Sequence, residues 1–244
     1  MLNIIIDNYI KTAEPVSSKL LVNSRFFDLS SATLRNEMHG LEEHGYLAQL
    51  HTSGGRVPTD RAYRFYVDNL MDSDDFGIQP NWQKKVDYVL ASISEDPRDM
   101  NKTIAQLLSD LSDNIVITGI SEKDDFYKTG LASLLELPEF KEINKVFRLT
   151  SFFDEFDRMF NQIEKEFFRG FYDDQGVDSI NVFIGRENRH PSIKDETVMT
   201  VRYNLPRQLV GSLTIIGPTR MDYRKNIGLV RYTTDKINKL VRQI

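Results

Sequence analysis

The segment that most restricts what this chain can fold into is Leu29-Ser30-Ser31-Ala32-Thr33-Leu34-Arg35-Asn36-Glu37-Met38. It is followed at once by Tyr46-Leu47-Ala48-Gln49-Leu50-His51-Thr52-Ser53-Gly54-Gly55-Arg56-Val57-Pro58. Serine before a helical run is a capping signal, so Ser30 or Ser31 starts a helix. Leu34, Met38 and Leu41 recur at i, i+4 and i+7 and face inward, which turns Arg35, Asn36 and His39 away from the core. Gly45 suits the end of that helix. Tyr46 to Leu50 reads as a strand, Ser53-Gly54-Gly55 as a flexible tip and Arg56-Val57-Pro58 as the return. A short polar-tipped helix followed by a basic ribbon is the outline of a winged helix-turn-helix, whose second helix fits the major groove of B-DNA.

The flanking residues agree with that outline. Leu2, Ile5, Ile6, Tyr9 and Ile10 form one apolar helical stripe that Thr12-Ala13-Glu14-Pro15 ends. Ser17 or Ser18 caps a second short helix through Leu20-Leu21-Val22. Thr59 caps a fourth, with Tyr63, Tyr66, Val67 and Leu70 as its buried stripe. Asp72-Ser73-Asp74-Asp75-Phe76-Gly77 is a polar break. Beyond it come helices near Trp82–Ile93 and Arg98–Leu111, a buried strand at Ile115–Thr118 and helical residues over 131–170 interrupted by Pro138. Strands follow at Ile180–Ile184, Val198–Tyr203 and Leu213–Ile216, and a long amphipathic helix runs from Asp222 to the end. Gly217-Pro218 reads as a turn, with Thr219 capping the last helix and Arg220 and Tyr223 tying it to the sheet. The expected class is α+β: an N-terminal winged helix-turn-helix domain over residues 1–72, a helical linker over 73–113 and a GAF-like α+β domain over 114–244.

The candidate DNA-contacting residues follow from chemistry. Arginine bonds guanine and asparagine bonds adenine bidentately, so Arg35 and Asn36, with Ser31 and Thr33, are placed to read base edges. Ser30 and Ser31 hydroxyls suit phosphate, as do Ser18 and Lys19 on the helix that crosses the backbone. On the ribbon side Arg56 and Arg61 can follow phosphates or a minor groove. By periodicity alone the third helix reads as a capped surface helix with solvated polar residues; the adjoining ribbon is what turns the reading toward DNA.

The net charge of −5 looks wrong for such a role. Its distribution explains part of this. Residues 1–70 carry seven Lys/Arg and eight Asp/Glu, residues 71–170 twelve against twenty, and residues 171–244 twelve against eight. An acidic middle is kept off a phosphate backbone while a near-neutral head can approach it, with affinity coming from a few well-placed contacts that dimerisation doubles in number. With no cysteine there is no disulfide framework and no thiolate metal site. No signal peptide or membrane span is visible, so a cytoplasmic protein is expected. His39 and His44 are five apart, about 140° around a helix, and so do not share a metal-binding face. No HExxH, P-loop, nucleophile elbow or Rossmann fingerprint occurs, and the acidic pairs Asp124-Asp125 and Asp173-Asp174 read as solvated loops. Neither catalysis nor a cofactor is expected.

The chain resembles the HrcA family of bacterial heat-inducible transcription repressors. The resemblance lies in Asp7-Asn8-Tyr9-Ile10, Thr12-Ala13-Glu14-Pro15-Val16 and Ser30 to Met38. It continues in Leu41 to Leu47, His51 to Asp60 and Tyr63 to Asp68, then Gly130 to Leu135 and Leu137 to Phe140. Ile184-Gly185-Arg186-Glu187-Asn188 and Ile216 to Tyr223 complete it. It implies a winged-helix head, a GAF-like C-terminal domain and a homodimer. It also implies repression of chaperone operons through the inverted-repeat operator called CIRCE, and assistance from the chaperonin GroEL. The family's pattern has a longer lead-in before the first helix, often glycine at Ser17 and commonly alanine at Gly54. It also places an inserted dimerisation domain between the equivalents of Ile120 and Gly130. That insert is expected to be missing here, leaving the remaining core and the last helix for dimerisation. A second reading makes the GAF-like domain an effector pocket, with Arg186, Asn188 and Arg202 lining it.

Overall fold

Helix α1 (Leu2–Thr12) stops where Ala13 turns into the left-handed region at φ 56° and its N–H returns to the Tyr9 carbonyl. Ser17 caps α2 (Ser18–Asn23) by accepting from the Leu20 N–H. Ser30 caps α3 (Ser31–Glu43) by accepting from the Thr33 N–H. At the far end of α3, Gly45 adopts φ 73°. Its N–H reaches the Glu42 carbonyl at 2.8 Å and the Tyr46 N–H reaches that of Leu41 at 2.9 Å. These two bonds form a Schellman stop, and it needs the left-handed conformation that glycine adopts at least cost. The turn delivers the chain into the ribbon β1 (Leu47–Gln49) and β2 (Arg56–Pro58), which pair antiparallel with Leu47 opposite Pro58. Thr59 accepts from the Ala62 N–H at the start of α4 (Asp60–Ser73).

The computed structural model describes residues 1–24, 26–50, 54–73, 78–121, 123, 125–167 and 179–243. The ribbon tip at 51–53, most of the break at 74–77 and the pair Asp173-Asp174 lie outside the described residues, as does Asp124.

Two compact units emerge. The first is Met1–Asp75 with Thr219–Asp222, and the second is Phe76–Pro218 with Tyr223–Ile244. In the first, Ile5, Val16, Leu21, Leu34, Met38 and Leu47 form one buried cluster. Tyr63, Tyr66, Val67 and Leu70 of α4 are buried as well, and the Tyr66 hydroxyl donates to Asp7 at 2.6 Å. Residues 73–113, expected as a linker, instead supply α5 (Pro80–Leu90) and α6 (Pro97–Ser112) to the second unit. Their apolar stripes are used as core: Val86, Leu90, Ile104 and Leu108 are buried.

The second unit is built on a five-stranded sheet, every neighbouring pair antiparallel, ordered β4-β3-β7-β6-β5. The strands are β3 (Ile115–Ile120), β4 (Phe126–Thr129), β5 (Asn181–Ile184), β6 (Glu196–Leu205) and β7 (Leu209–Pro218). Helices α7 (Leu131–Leu135) and α8 (Ile143–Phe167) complete one side, where Phe152, Phe156 and Phe160 pack with Ile115, Ile117, Val198 and Ile216. Helix α9 (Tyr223–Val241) packs on β6, with Tyr223 bonded to Thr197 at 2.9 Å and Asn238 accepting from the Asn204 N–H at 2.7 Å. Asn101 of α6 ties the same sheet through Gly119, Thr118 and Tyr203. The chain is therefore α+β.

Two sequence expectations are corrected. Gly217-Pro218 is not a turn but the end of β7, opposite Thr197 and Glu196. A proline without an N–H is tolerated at a strand's last residue. Because α9 starts only at Tyr223, Thr219 lies too far upstream to cap it. Arg220 donates to the Ile10 carbonyl at 3.0 Å. The expectation that Tyr223 ties the last helix to the sheet agrees with its bond to Thr197.

Candidate nucleic-acid interface

Helix α3 presents two opposite sides. Leu34 and Met38 are buried, whereas Ser31, Ala32, Thr33, Arg35, Asn36 and His39 are exposed. With 100° per residue, Ala32, Asn36, His39 and Glu43 fall on the side facing away from the core, flanked by Arg35 and Thr33. Among the described residues, Arg35 and Asn36 have no polar partner, and neither has Lys19 on α2.

The hydroxyl residues are knit to one another. Ser18 and Ser31 oxygens lie 3.0 Å apart, which joins the first turn of α2 to that of α3. Ser30 and Thr33 oxygens lie 2.9 Å apart, alongside the capping bond. Four of the candidates thus form one polar edge where two helices begin. Anions are favoured at the start of α3 by its free N–H groups and dipole. Glu42 and Glu43 near the other end make that end less favourable to an anion.

Arg56 of β2 and Arg61 of α4, the two candidate arginines beyond the ribbon tip, both have partners within the protein. Arg56 does not project from β2. Its Nε and Nη2 reach the same Glu42 oxygen at 2.9 and 2.8 Å, and its side chain is only 14% exposed against 27% for Glu42. Its backbone is also held, since Val16 and Arg56 exchange N–H···O bonds of 2.9 and 2.8 Å. A carboxylate fourteen residues upstream captures the guanidinium because the Schellman stop folds the ribbon back along α3. Gly55 sits against the same segment: a Cβ there would lie 2.6 Å from the Val16 carbonyl carbon and oxygen. Arg61 is exposed, but its Nη1 donates to the His44 carbonyl at 2.7 Å and its guanidinium lies 4.6 Å from the centre of the Tyr46 ring. It closes the carboxyl end of α3, where cations are favourable.

Ala32 is exposed on the same side of α3 as Asn36 but carries no hydrogen-bonding side-chain group. It stands four residues before Asn36, one turn earlier on the same stripe.

Of the residues proposed to line an effector pocket in the second unit, Asn188 is committed to the fold. Asn188 is buried, and its Nδ2 lies within 3.1 Å of the carbonyls of Gly185, Ile193 and Glu196. That amide organises the loop before β6. A cavity of about 590 Å³ lies at the β6–β7 turn, lined among others by Leu205, Arg207, Val210 and Arg242. Arg186, Asn188 and Arg202 are not part of its lining. The Glu196 carboxyl is 5% exposed, and burial pushes it up to about 7; Asp195 and Glu139 act in the same direction, Lys145 and Arg148 against it. Among the described residues no helix is long and apolar enough to cross a membrane, and no group of three or more His, Asp or Glu could hold a metal ion. Asp125 of the expected acidic loop pairs with Arg98.

The chain is similar to known proteins in sequence and in fold. The model of the family described as HrcA protein C terminal domain matches residues 82–227. The heat-inducible transcription repressor HrcA of Thermoanaerobacter pseudethanolicus is 29% identical over 336 aligned residues, covering 98% of this chain and 95% of that protein. HrcA of Caldanaerobacter subterraneus subsp. tengcongensis is 27% identical over 335, with the same shares covered. These alignments are longer than the 244 residues available, so the relatives carry residues that have no counterpart here. A crystal structure of a hypothetical protein shares the fold, with a TM-score of 0.76 and 17% identity, covering 99% of this chain and 97% of that one.

Proposed function

The chain belongs to the HrcA family, and from that premise we infer that it is a heat-inducible transcription repressor of heat-shock operons, acting on DNA and not as an enzyme. In this reading the first unit is a winged helix-turn-helix head and the second a GAF-like domain. Helix α3 enters the major groove by its N-terminal half. Arg35 and Asn36 read base edges, and Ser18, Lys19, Ser30, Ser31 and Thr33 seat the flanking phosphates. Arg56 acts as a strut for the ribbon. Arg61 braces the end of α3 and keeps donors for a phosphate.

The observation that carries this reading is the exposed edge of α3. Arg35 and Asn36 stand there without partners on a helix whose other side is locked into the core. Such an arrangement leaves base-reading groups rigidly mounted and uncommitted, as direct readout requires.

A homodimer would place two such helices on one face of DNA, about 34–36 Å apart, and so select an inverted repeat. Bound across a promoter, it blocks transcription sterically. Heat lowers the folded fraction, and a chaperonin such as GroEL raises it. A change of 1–2 kcal/mol in a marginally stable protein shifts that fraction severalfold.

Selection of bound duplexes from a random pool tests the proposal. Recovery of a palindromic site whose affinity collapses on Asn36→Ala supports it. Recovery of no preferred sequence, or a site indifferent to both Arg35→Ala and Asn36→Ala, overturns it.

A further inference from the structure

The side of α3 that faces away from the core has one apolar member in its first half. Ala32 is exposed, stands one turn before Asn36 on the same stripe, and is bordered by the polar pairs Ser18–Ser31 and Ser30–Thr33. Leu29, just ahead of the cap, is 45% exposed and adds a second apolar group at this end.

Reach makes this position consequential. Asparagine has a short side chain. Asn36 can meet a base edge only if the backbone of α3 comes close to the groove floor. A bulky residue one turn earlier would hold the helix away, and a methyl group allows the approach. Once the helix is that close, the Ala32 methyl is itself within van der Waals range of a neighbouring base. The only apolar group that a base pair displays in the major groove is the 5-methyl of thymine.

We propose that Ala32 is a specificity-determining residue that recognises a thymine 5-methyl group beside the base read by Asn36. Four helical residues advance about 6 Å along the axis, roughly two base-pair steps of 3.4 Å. The thymine therefore lies one or two base pairs from the position that Asn36 reads, in each half-site. The inference rests on α3 being the helix that enters the groove.

Uracil lacks only the 5-methyl of thymine, so the test alters the DNA before it alters the protein. Duplexes carrying the selected site are made with deoxyuridine replacing each thymine in turn, and binding is measured by competition shift. Loss of one buried methyl corresponds to about a fourfold weakening per half-site. That loss is expected at one symmetric thymine within two base pairs of the base whose identity Asn36→Ala ceases to discriminate. Ala32→Gly should bind the thymine and uracil duplexes alike. Ala32→Ser, which keeps the helix better, should narrow the difference.

Equal binding of every uracil duplex by the parent chain would sink the inference while leaving the α3 reading intact. Persistence of the full difference in both Ala32 variants would do the same. Binding that Asn36→Ala leaves unchanged would remove the α3 reading and this inference with it.

Discussion

Replacing Arg56 with alanine distinguishes a strut from a DNA contact. The guanidinium gives two charge-assisted bonds to one Glu42 oxygen, at 2.9 and 2.8 Å, in a setting where the pair is 14% and 27% exposed. Bonds to charged groups contribute about 1.5–3 kcal/mol when sheltered, and exposed ion pairs about 0.2–1. A half-sheltered pair should therefore show a coupling of about 1–2 kcal/mol in a double-mutant cycle of Arg56→Ala and Glu42→Ala. In a small domain that amount lowers the melting temperature by roughly 5–10 °C. The decisive measurement is the salt dependence of DNA binding. A phosphate contact releases counterions, and its removal makes the slope of log K against log salt shallower by about 0.9. A strut has no such signature. We expect Arg56→Ala to weaken binding at every salt concentration with the parent's slope retained, and to lose little further when Glu42 is also replaced. A slope shallower by about 0.9, with negligible coupling to Glu42 in the melting experiment, would refute the strut and restore Arg56 to the DNA surface.

Three further outcomes can be measured. Asn36→Ala should weaken binding to the preferred duplex by about 1–3 kcal/mol and leave binding to unrelated DNA unchanged; equal losses on both would show that it reads no base. Gly55→Ala should destabilise the head by about 1–3 kcal/mol, because the added methyl lies 2.6 Å from Val16 backbone atoms that cannot rotate away; an unchanged melting curve in circular dichroism would contradict that packing. Glu196→Gln should stabilise the second unit at pH 7.5 and make little difference near pH 4. Between the ordinary value of 4.5 and about 7 the folded carboxyl keeps a proton that the unfolded one has lost. The parent's stability therefore falls as pH rises through that interval and levels off above it, by at most about 3 kcal/mol. A parent whose stability rises across the same interval as steeply as the Gln variant's would reject the buried carboxyl as its source.

Local signals in the chain were easy to read where their cause was local. Ser17, Ser30 and Thr59 each cap a helix by accepting from the N–H three residues on, and the stop at Gly45 uses bonds spanning three and five residues. The stripes of α3 and α4 gave the buried set because helical period is fixed by backbone geometry. Strand β4 carries no such local signal. Its Phe-Tyr-Lys-Thr run is half-buried at a sheet edge and follows neither alternation nor a continuous apolar pattern.

By itself the sequence determined the helices of the head, their inward faces and the residues left on the outer edge of α3. Capping, left-handed stops and periodicity are properties of neighbouring residues, so nothing distant is needed to read them. Tertiary structure alone decided the fate of Arg56, captured by Glu42, and of Pro218, drawn into β7 by its partner Glu196. It also decided that α5 and α6 join the second unit rather than link two domains. Each of these depends on which groups meet across long stretches of chain, and a charge or an apolar stripe does not specify its partner until the fold brings one within reach.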